Sequence, residues 1–168
     1  KYYLVGIAQL PTGASLDRTE AVVKRMSEIA LAEPGVESVV AFPGLSVNGM
    51  VNIPNAAVMF TMLKPFDERK DPSLSAFAIA GKLMGQFSQI PDGFVGIFPP
   101  PPVPGLGSTG GFKIQIEDRA SLGLEALAEA QGAIMGKAMQ TPELAGMLAS
   151  FQVNAPQVQT SLDRKSVV

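Results

Sequence analysis

The residue types that most often carry enzymatic chemistry are missing from this chain. Its 168 residues include no His, no Cys and no Trp. Without His and Cys there are no imidazole general bases, thiol nucleophiles or Cys/His zinc sites, and a Ser-His-Asp triad cannot be assembled. We therefore expect a protein that is not an enzyme.

Carboxylate pairs are the remaining candidates for acid–base chemistry. Glu117 and Asp118 are adjacent at the end of an alternating segment, so on a predicted strand they point to opposite sides and do not converge. The run from Asp67 to Asp71 mixes acidic and basic side chains, which is typical of a solvated turn. Neither arrangement favours catalysis.

Glycine and charge patterns exclude two further classes of ligand. Residues Gly105–Gly110 match G-x-G-x-x-G, but a dinucleotide site needs a strand before this motif and a helix after it. Here a proline run precedes the motif and a predicted strand follows, so we expect no cofactor, no specific nucleotide and no metal. The net charge is −2, from 13 basic and 15 acidic residues, and nucleic acid is not an expected partner because it requires a basic surface.

Apolar periodicity predicts the elements that must position any site. Alternating or β-branched runs predict strands, and apolar residues at helical spacing predict helices that begin at Ser15 and Asp71. The predicted elements, in order, are strand 2–10, helix 15–32, strand 36–42, strand 56–63, a helix opening at 71, and strand 93–98. This β-α-β-β-α-β order predicts a ferredoxin-like α+β subdomain over residues 1–98, with an antiparallel sheet covered on one face by two helices.

A second, incomplete α+β subdomain is predicted after a Pro/Gly linker. The linker, 99–111, is too rich in proline and glycine to continue a strand or helix. Residues 112–168 read as strand 112–117, a helix striped by Leu124, Leu127 and Ile134, and strands 147–153 and 157–162. This β-α-β-β order leaves sheet surface uncovered, so we expect the isolated chain to self-associate through residues 112–168. The absence of a starting Met or a signal segment favours a piece of a longer protein.

The most informative segment is Ser38–Leu63, which contains 26 residues without a charge. Proline, glycine and asparagine interrupt it, so it cannot be a membrane helix. It predicts instead an apolar loop, Pro43–Asn55, that is more mobile than the strands it joins. Two interpretations remain open: the loop binds a ligand or partner, or it is buried against another part of the protein.

Four separated segments resemble one known family. They are Gln9–Thr19 (QLPTGASLDRT), Gly35–Val39 (GVESV), Pro99–Val103 (PPPPV) and Gly110–Arg119 (GGFKIQIEDR). In this order they resemble the periplasmic porter region of resistance-nodulation-division (RND) multidrug efflux transporters, in the hydrophobe/amphiphile, AcrB-like branch and closest to its MexF-type members. The resemblance runs from Lys1 to about Arg164.

The resemblance implies a fragment of a proton-driven bacterial inner-membrane transporter, with this segment facing the periplasm. It implies small amphiphilic drugs as substrates, which move between an access pocket and a deep pocket separated by a switch loop. The implied partners are the remainder of the transporter chain, two further copies in a homotrimer, a membrane-fusion adaptor and an outer-membrane channel.

Site residues follow from the same resemblance, position by position. The implied deep pocket is lined by Val40, Phe42, Leu45, Val47, Met50 and Phe60. The implied access side is lined by Val5, Ile7, Gln9, Phe112, Ile114 and Ile116. The implied switch loop is Pro43–Asn55, with Pro43, Gly44, Gly49 and Asn55 as its landmarks.

A different class of function also fits the residues. A stand-alone ferredoxin-like ligand-sensing or protein-assembly domain would bury the apolar loop in a partner. Hydrophobic helices encoded on either side of this segment would favour transport, and their absence would favour the stand-alone domain.

Overall fold

The computed structural model of the chain describes residues 2–47, 50–100 and 114–142, together with residues 144, 147, 149, 151 and 153. The chain divides into two compact units, residues 1–114 and 115–168. The first unit contains β1 (Tyr3–Gln9), α1 (Leu16–Leu31), β2 (Val36–Leu45), β3 (Asn52–Leu63), a one-turn 3-10 helix (Pro72–Leu74), α2 (Ala76–Phe87) and β4 (Phe94–Phe98). The order of strands and helices is the predicted one.

The four strands form one antiparallel sheet in the order β2-β3-β1-β4. The two strands at the centre, β1 and β3, pair along seven residues, from Tyr3 opposite Met62 to Gln9 opposite Ala56. Because side chains alternate along a strand, this register fixes which residues share each face of the sheet.

Both helices begin where a serine can cap them. The Ser15 hydroxyl accepts a hydrogen bond from the Arg18 N–H at 3.3 Å, and the Ser75 hydroxyl accepts one from the Ala78 N–H at 3.3 Å. Such caps satisfy backbone donors that the first helical turn leaves unpaired. The second helix was predicted to open at Asp71, but Asp71 caps the separate 3-10 turn, and α2 begins after Ser75.

The hydrophobic core lies between the two helices and one face of the sheet. It contains, among others, Leu4, Ala8, Met59, Leu63, Val95 and Ile97 from the strands and Val22, Met26, Ile79, Leu83 and Phe87 from the helices. Burying one such large side chain contributes about 1.5–3 kcal/mol before conformational entropy is counted. The helices therefore cover one face of the sheet, and the opposite face does not take part in this core.

The predicted loop Pro43–Asn55 is too long, because most of it belongs to a β-hairpin. Strand β2 continues to Leu45 and β3 already begins at Asn52, with Pro43 opposite Ala57 and Leu45 opposite Asn52. The predicted strand ended at Phe42, one residue before Pro43, and proline cannot donate a ladder hydrogen bond. It is tolerated here because β2 lies at the edge of the sheet.

The second unit contains one helix among its described residues, α3 (Leu124–Met139), which agrees with the predicted helix. The predicted strand 112–117 is wrong over residues 114–117, which are not in a strand, and Phe112 lies outside the described residues. The described positions of 147–153 are also not in a strand, whereas 157–162 lies outside the described residues, as does the linker beyond Pro100. Alternation alone does not make a strand, because a strand also needs a neighbour with which to hydrogen-bond.

Candidate ligand-binding face

The sheet face opposite the helices is lined by apolar and aromatic side chains. We call it the apolar face. Its members are Tyr3, Val5 and Ile7 of β1, Val40 and Phe42 of β2, Val58 and Phe60 of β3, and Phe94 and Phe98 of β4. Alternation of the strands places these residues away from the helix-facing core.

The strand register arranges these side chains in rows that cross the sheet. One row runs Val40, Phe60, Val5, Phe98, and the next runs Phe42, Val58, Ile7, Gly96. Directly opposed residues on one face lie close enough to pack against one another. The rows therefore make a continuous apolar surface rather than scattered single side chains.

Aromatic rings are clustered on this surface. The Phe42 and Phe60 rings meet edge to face with centroids 6.1 Å apart, and Tyr3 lies 6.3 Å from Phe60 on its other side. Phe94 and Phe98 flank Gly96, where an added Cβ would come within 3.2 Å and 3.0 Å of their rings. Gly96 thus leaves room for two phenylalanines in one short strand.

Exposure differs across the apolar face. Val5, Ile7 and Val58 on the central strands are buried, whereas Val40 and Phe42 on the edge strand keep 48% and 43% of their surface accessible. Exposed apolar area of this kind favours contact with apolar ligands or partners. The accessible part of the face lies beside the β2–β3 hairpin.

The side chains of the apolar face are suited to contact with apolar groups. The members of the apolar face named above carry no charge, and the described part of the chain holds no cluster of His, Cys, Asp or Glu able to bind a metal. Such a surface recognises ligands chiefly by buried apolar area and by shape.

Five of the twelve predicted lining residues, Val5, Ile7, Val40, Phe42 and Phe60, come together on this face. The sixth residue in register with them, Gln9, uses its side-chain amide to donate to the backbone oxygens of Leu10 and Asn55 at 3.4 Å and 3.2 Å. Residues that the resemblance assigns to the access side and residues that it assigns to the deep pocket therefore lie on one sheet surface.

The remaining predicted residues lie elsewhere. Leu45 and Val47 are half-buried near the hairpin tip, and Met50 is exposed there with a positive φ of 54°. Ile114 is exposed and Ile116 half-buried, both outside any strand, and Phe112 lies outside the described residues.

The residues named for the implied switch loop lie mostly in strands. Pro43 and Gly44 belong to β2, and Gly44 has a φ of +81° that favours glycine. Asn55 is buried within β3 rather than in a loop, and Gly49 lies outside the described residues.

Sequence reasoning missed four members of the apolar face. Tyr3, Val58, Phe94 and Phe98 stand in the same rows as the predicted residues. The alternation within β1, β3 and β4 was the signal that could have found them, because it places every second residue on one face.

None of the helices in the described parts of the chain combines the length and the apolarity that crossing a membrane requires. This finding concerns the described residues alone.

Comparison with known proteins identifies similar chains. A family model described as the AcrB/AcrD/AcrF family matches residues 1–168. The multidrug export protein AcrF of Escherichia coli is 36% identical over 136 residues, or 80% of this chain and 13% of AcrF. The multidrug/solvent efflux pump membrane transporter MepB of Pseudomonas putida is 34% identical over 157 residues, or 92% of this chain and 15% of MepB. The chain thus spans about 15% or less of the length of these relatives.

Proposed function

Because this chain belongs to the AcrB/AcrD/AcrF family, we propose that it is a drug-binding porter segment of a proton-driven RND multidrug efflux transporter. The observation that carries the proposal is the apolar face, an uncharged aromatic surface that is partly accessible beside a hairpin. Transport by such a segment needs binding and movement but no bond chemistry.

The side chains of the apolar face suit amphiphilic compounds of varied shape. Such ligands are held chiefly by buried apolar area, with few directional contacts. Aromatic rings supply large rigid area at edge-to-face or stacked geometry, and Met50 at the hairpin tip supplies a flexible side chain that adapts to different outlines. The proposed substrates are therefore small amphiphilic drugs or solvents.

We further propose that the first unit is a ferredoxin-like porter subdomain. The sheet order β2-β3-β1-β4, together with a single core shared by α1 and α2, supports this layout. In this proposal residues 112–168 belong to a second porter subdomain, and the hairpin acts as the switch loop that divides the access side from the deep pocket.

The setting of the segment is proposed from the family. We place it on the periplasmic side of a bacterial inner-membrane transporter, in a homotrimer that works with a membrane-fusion adaptor and an outer-membrane channel. Alternating access would come from motion of subdomains relative to one another, and the names of the relatives, which include "efflux pump membrane transporter" and "multidrug export protein", support the transport role.

Alanine substitution on the apolar face tests this function in the full-length protein. Phe42→Ala and Phe60→Ala each remove an aromatic contact from the proposed binding surface, and we expect export of aromatic amphiphiles to weaken by roughly fivefold for each. The measurement is drug susceptibility of a host without competing pumps, together with the amount of transporter in the membrane.

Phe77→Ala is the matched control. Phe77 lies on α2 and keeps 69% of its surface exposed, so the substitution removes an accessible phenylalanine from the helical side of the unit. Susceptibility should stay at the wild-type level in this variant. Unchanged susceptibility in Phe42→Ala and Phe60→Ala, at normal transporter levels, would reject the apolar face as a drug-binding surface.

A further inference from the structure

A set of polar contacts joins the base of the β2–β3 hairpin to the segment that links β1 with α1. The Asn55 side-chain amide donates to the backbone oxygens of Leu10 at 2.9 Å and Pro11 at 3.3 Å. The Leu10 N–H donates in return to the Asn55 oxygen at 2.8 Å. The Thr19 hydroxyl donates to the Pro54 oxygen at 2.6 Å. We call these contacts of Thr19 and Asn55 the polar clasp.

Both side chains of the polar clasp are buried. Asn55 retains 6% of its surface and Thr19 none. Buried amides and hydroxyls need hydrogen-bond partners, because an unpaired polar group in the interior costs about 1–3 kcal/mol. The contacts therefore have little freedom to exchange with water.

The polar clasp lies where the hairpin departs from a regular ladder. On β2, Pro43 and Leu45 are two positions apart, but their partners on β3, Ala57 and Asn52, are five apart. The extra β3 residues cannot all pair with β2, so their backbone groups need partners from outside the ladder. The clasp supplies such partners at Pro54 and Asn55.

The first turn of α1 contacts both arms of the hairpin. Thr19 binds the β3 arm at Pro54, and Leu16, three residues earlier, lies so close to Gly44 on the β2 arm that an added Cβ there would come within 2.9 Å of its Cδ1 atom. Residues three apart share a helix face. One helical turn thus contacts the hairpin on both sides of the register shift.

We propose that Asn55 and Thr19 are positioning residues that fix the direction in which the hairpin tip, residues 45–47 and 50–52, leaves the sheet. The tip carries Leu45, Val47 and Met50, so its direction decides where these side chains stand relative to the sheet edge. That the direction of the tip affects ligand binding rests on the proposed function, whereas the control of that direction by Thr19 and Asn55 does not. Motion of the tip then begins beyond the clasp and leaves Asn55 in place.

Spin labelling of the full-length protein tests the proposal directly. The chain contains no cysteine, so Val51→Cys introduces one labelling site into this segment, once cysteines elsewhere in the full-length protein have been replaced. Val51 is exposed at the tip, and its side chain is not part of the clasp. The electron paramagnetic resonance spectrum reports the fraction of label in a mobile state.

Thr19→Val keeps the shape of the side chain and removes the hydroxyl. We expect the mobile fraction at position 51 to rise by about fivefold, as the loss of one neutral hydrogen bond predicts, and to rise further in Asn55→Ala. Thr19→Ser, which keeps the hydroxyl, should restore the wild-type spectrum.

Thr61→Val is the matched control for removal of a buried threonine hydroxyl. Thr61 is fully buried in β3, and its hydroxyl has no hydrogen-bond partner among the described residues. The spectrum of labelled Val51→Cys with Thr61→Val should match that of labelled Val51→Cys alone, because Thr61 lies in the core and not in the polar clasp. The melting temperature of every variant shows that each is folded when its spectrum is taken.

An unchanged spectrum in folded Thr19→Val and Asn55→Ala would overturn the positioning role, as would equal changes in Thr61→Val. Drug susceptibility of the same variants tests the proposed function separately. Altered tip motion with unaltered susceptibility would support the clasp while contradicting the role of the hairpin in transport.

Discussion

Gly93 and Gly81 illustrate opposite requirements for space at single residues. A Cβ built at Gly93 would lie 2.4 Å from the Gln9 backbone oxygen and 2.9 Å from the Leu10 Cα, whereas one at Gly81 in α2 would meet nothing within 4 Å. Backbone atoms cannot turn aside as a side chain can. Gly93 therefore permits the close approach of the chain before β4 to the end of β1.

Alanine substitution at the two glycines should change stability in opposite directions. Gly93→Ala forces a backbone shift and should lower the free energy of unfolding by about 1–3 kcal/mol. Gly81→Ala removes a flexible residue from an exposed helix interior and should raise it by about 1 kcal/mol. Urea unfolding followed by circular dichroism measures both, and equal midpoints for the two variants would contradict this account.

At the residue scale, sequence reasoning reached five members of the apolar face but none of the polar clasp contacts. Val5, Ile7 and Phe60 were implied by the family resemblance, and alternation along single strands is a local signal that agrees with their shared face. The contacts of Thr19 with Pro54 and of Asn55 with Leu10 join residues 35 and 45 positions apart. No local pattern specifies such pairs, because they depend on how the hairpin and α1 are brought together.

At the scale of elements, helix α1 was predicted more accurately than the start of α2 or the ends of β2 and β3. Helix α1 has a serine cap, an apolar stripe and a terminating Pro34–Gly35 within one window of sequence. The extent of β2 and β3 depends instead on Pro43 lying in an edge strand, which is a property of the whole sheet. Strand formation also depends on a neighbouring strand with which to pair, so alternation over residues 114–117 was not enough to produce a strand.

The segment before α3 is organised by a carboxylate. Asp118 accepts hydrogen bonds from the backbone N–H groups of Gly123 at 2.8 Å and Ala120 at 3.2 Å. These bonds, that from Gly123 foremost, lower the pKa of Asp118 below its ordinary value of 3.8. The folded state therefore favours the charged form, and its stabilisation is present above pH 3.8 and is lost as the pH falls through the lowered pKa.

An NMR titration of the Gly123 amide tests this assignment. Its proton shift should titrate with a midpoint below 3.8, the ordinary pKa of the Asp118 carboxyl, because protonation of Asp118 weakens the hydrogen bond. Asp118→Asn should abolish the titration at Gly123, whereas Asp17→Asn in α1 should leave it intact. A midpoint at or above the ordinary value would show that the backbone contacts do not stabilise the carboxylate.

At the scale of the whole molecule, the first unit carries its own core. Every member of the main hydrophobic cluster lies between Leu4 and Ile97. A separate ion pair joins the end of α1 to α2, with the Lys82 Nζ atom 3.0 Å from the Glu33 carboxylate. We expect residues 1–100 to fold without the rest of the chain, since these contacts are internal to the segment.

Urea unfolding of residues 1–100 measures this independence. The expected result is a single cooperative transition with a slope of about 1–1.5 kcal/mol per M, as is usual for a domain of this size. Leu83→Ala, which empties part of the core, should move the midpoint to lower urea by removing about 2–5 kcal/mol. A gradual transition that Leu83→Ala does not shift would show that the segment needs other residues to fold.

The separation of the two sheet faces also bears on how such a protein evolves. Side chains that hold α1 and α2, such as Leu4 and Met59, point away from Val40 and Phe42 on the edge strand. Most substitutions that unfold a protein do so by disturbing its core. Substitutions at the exposed positions therefore have little effect on stability and are not removed by selection for a folded protein. Under the proposed function, a lineage that meets a new toxic compound can vary Val40 or Phe42 by single nucleotide changes without first acquiring a compensating mutation.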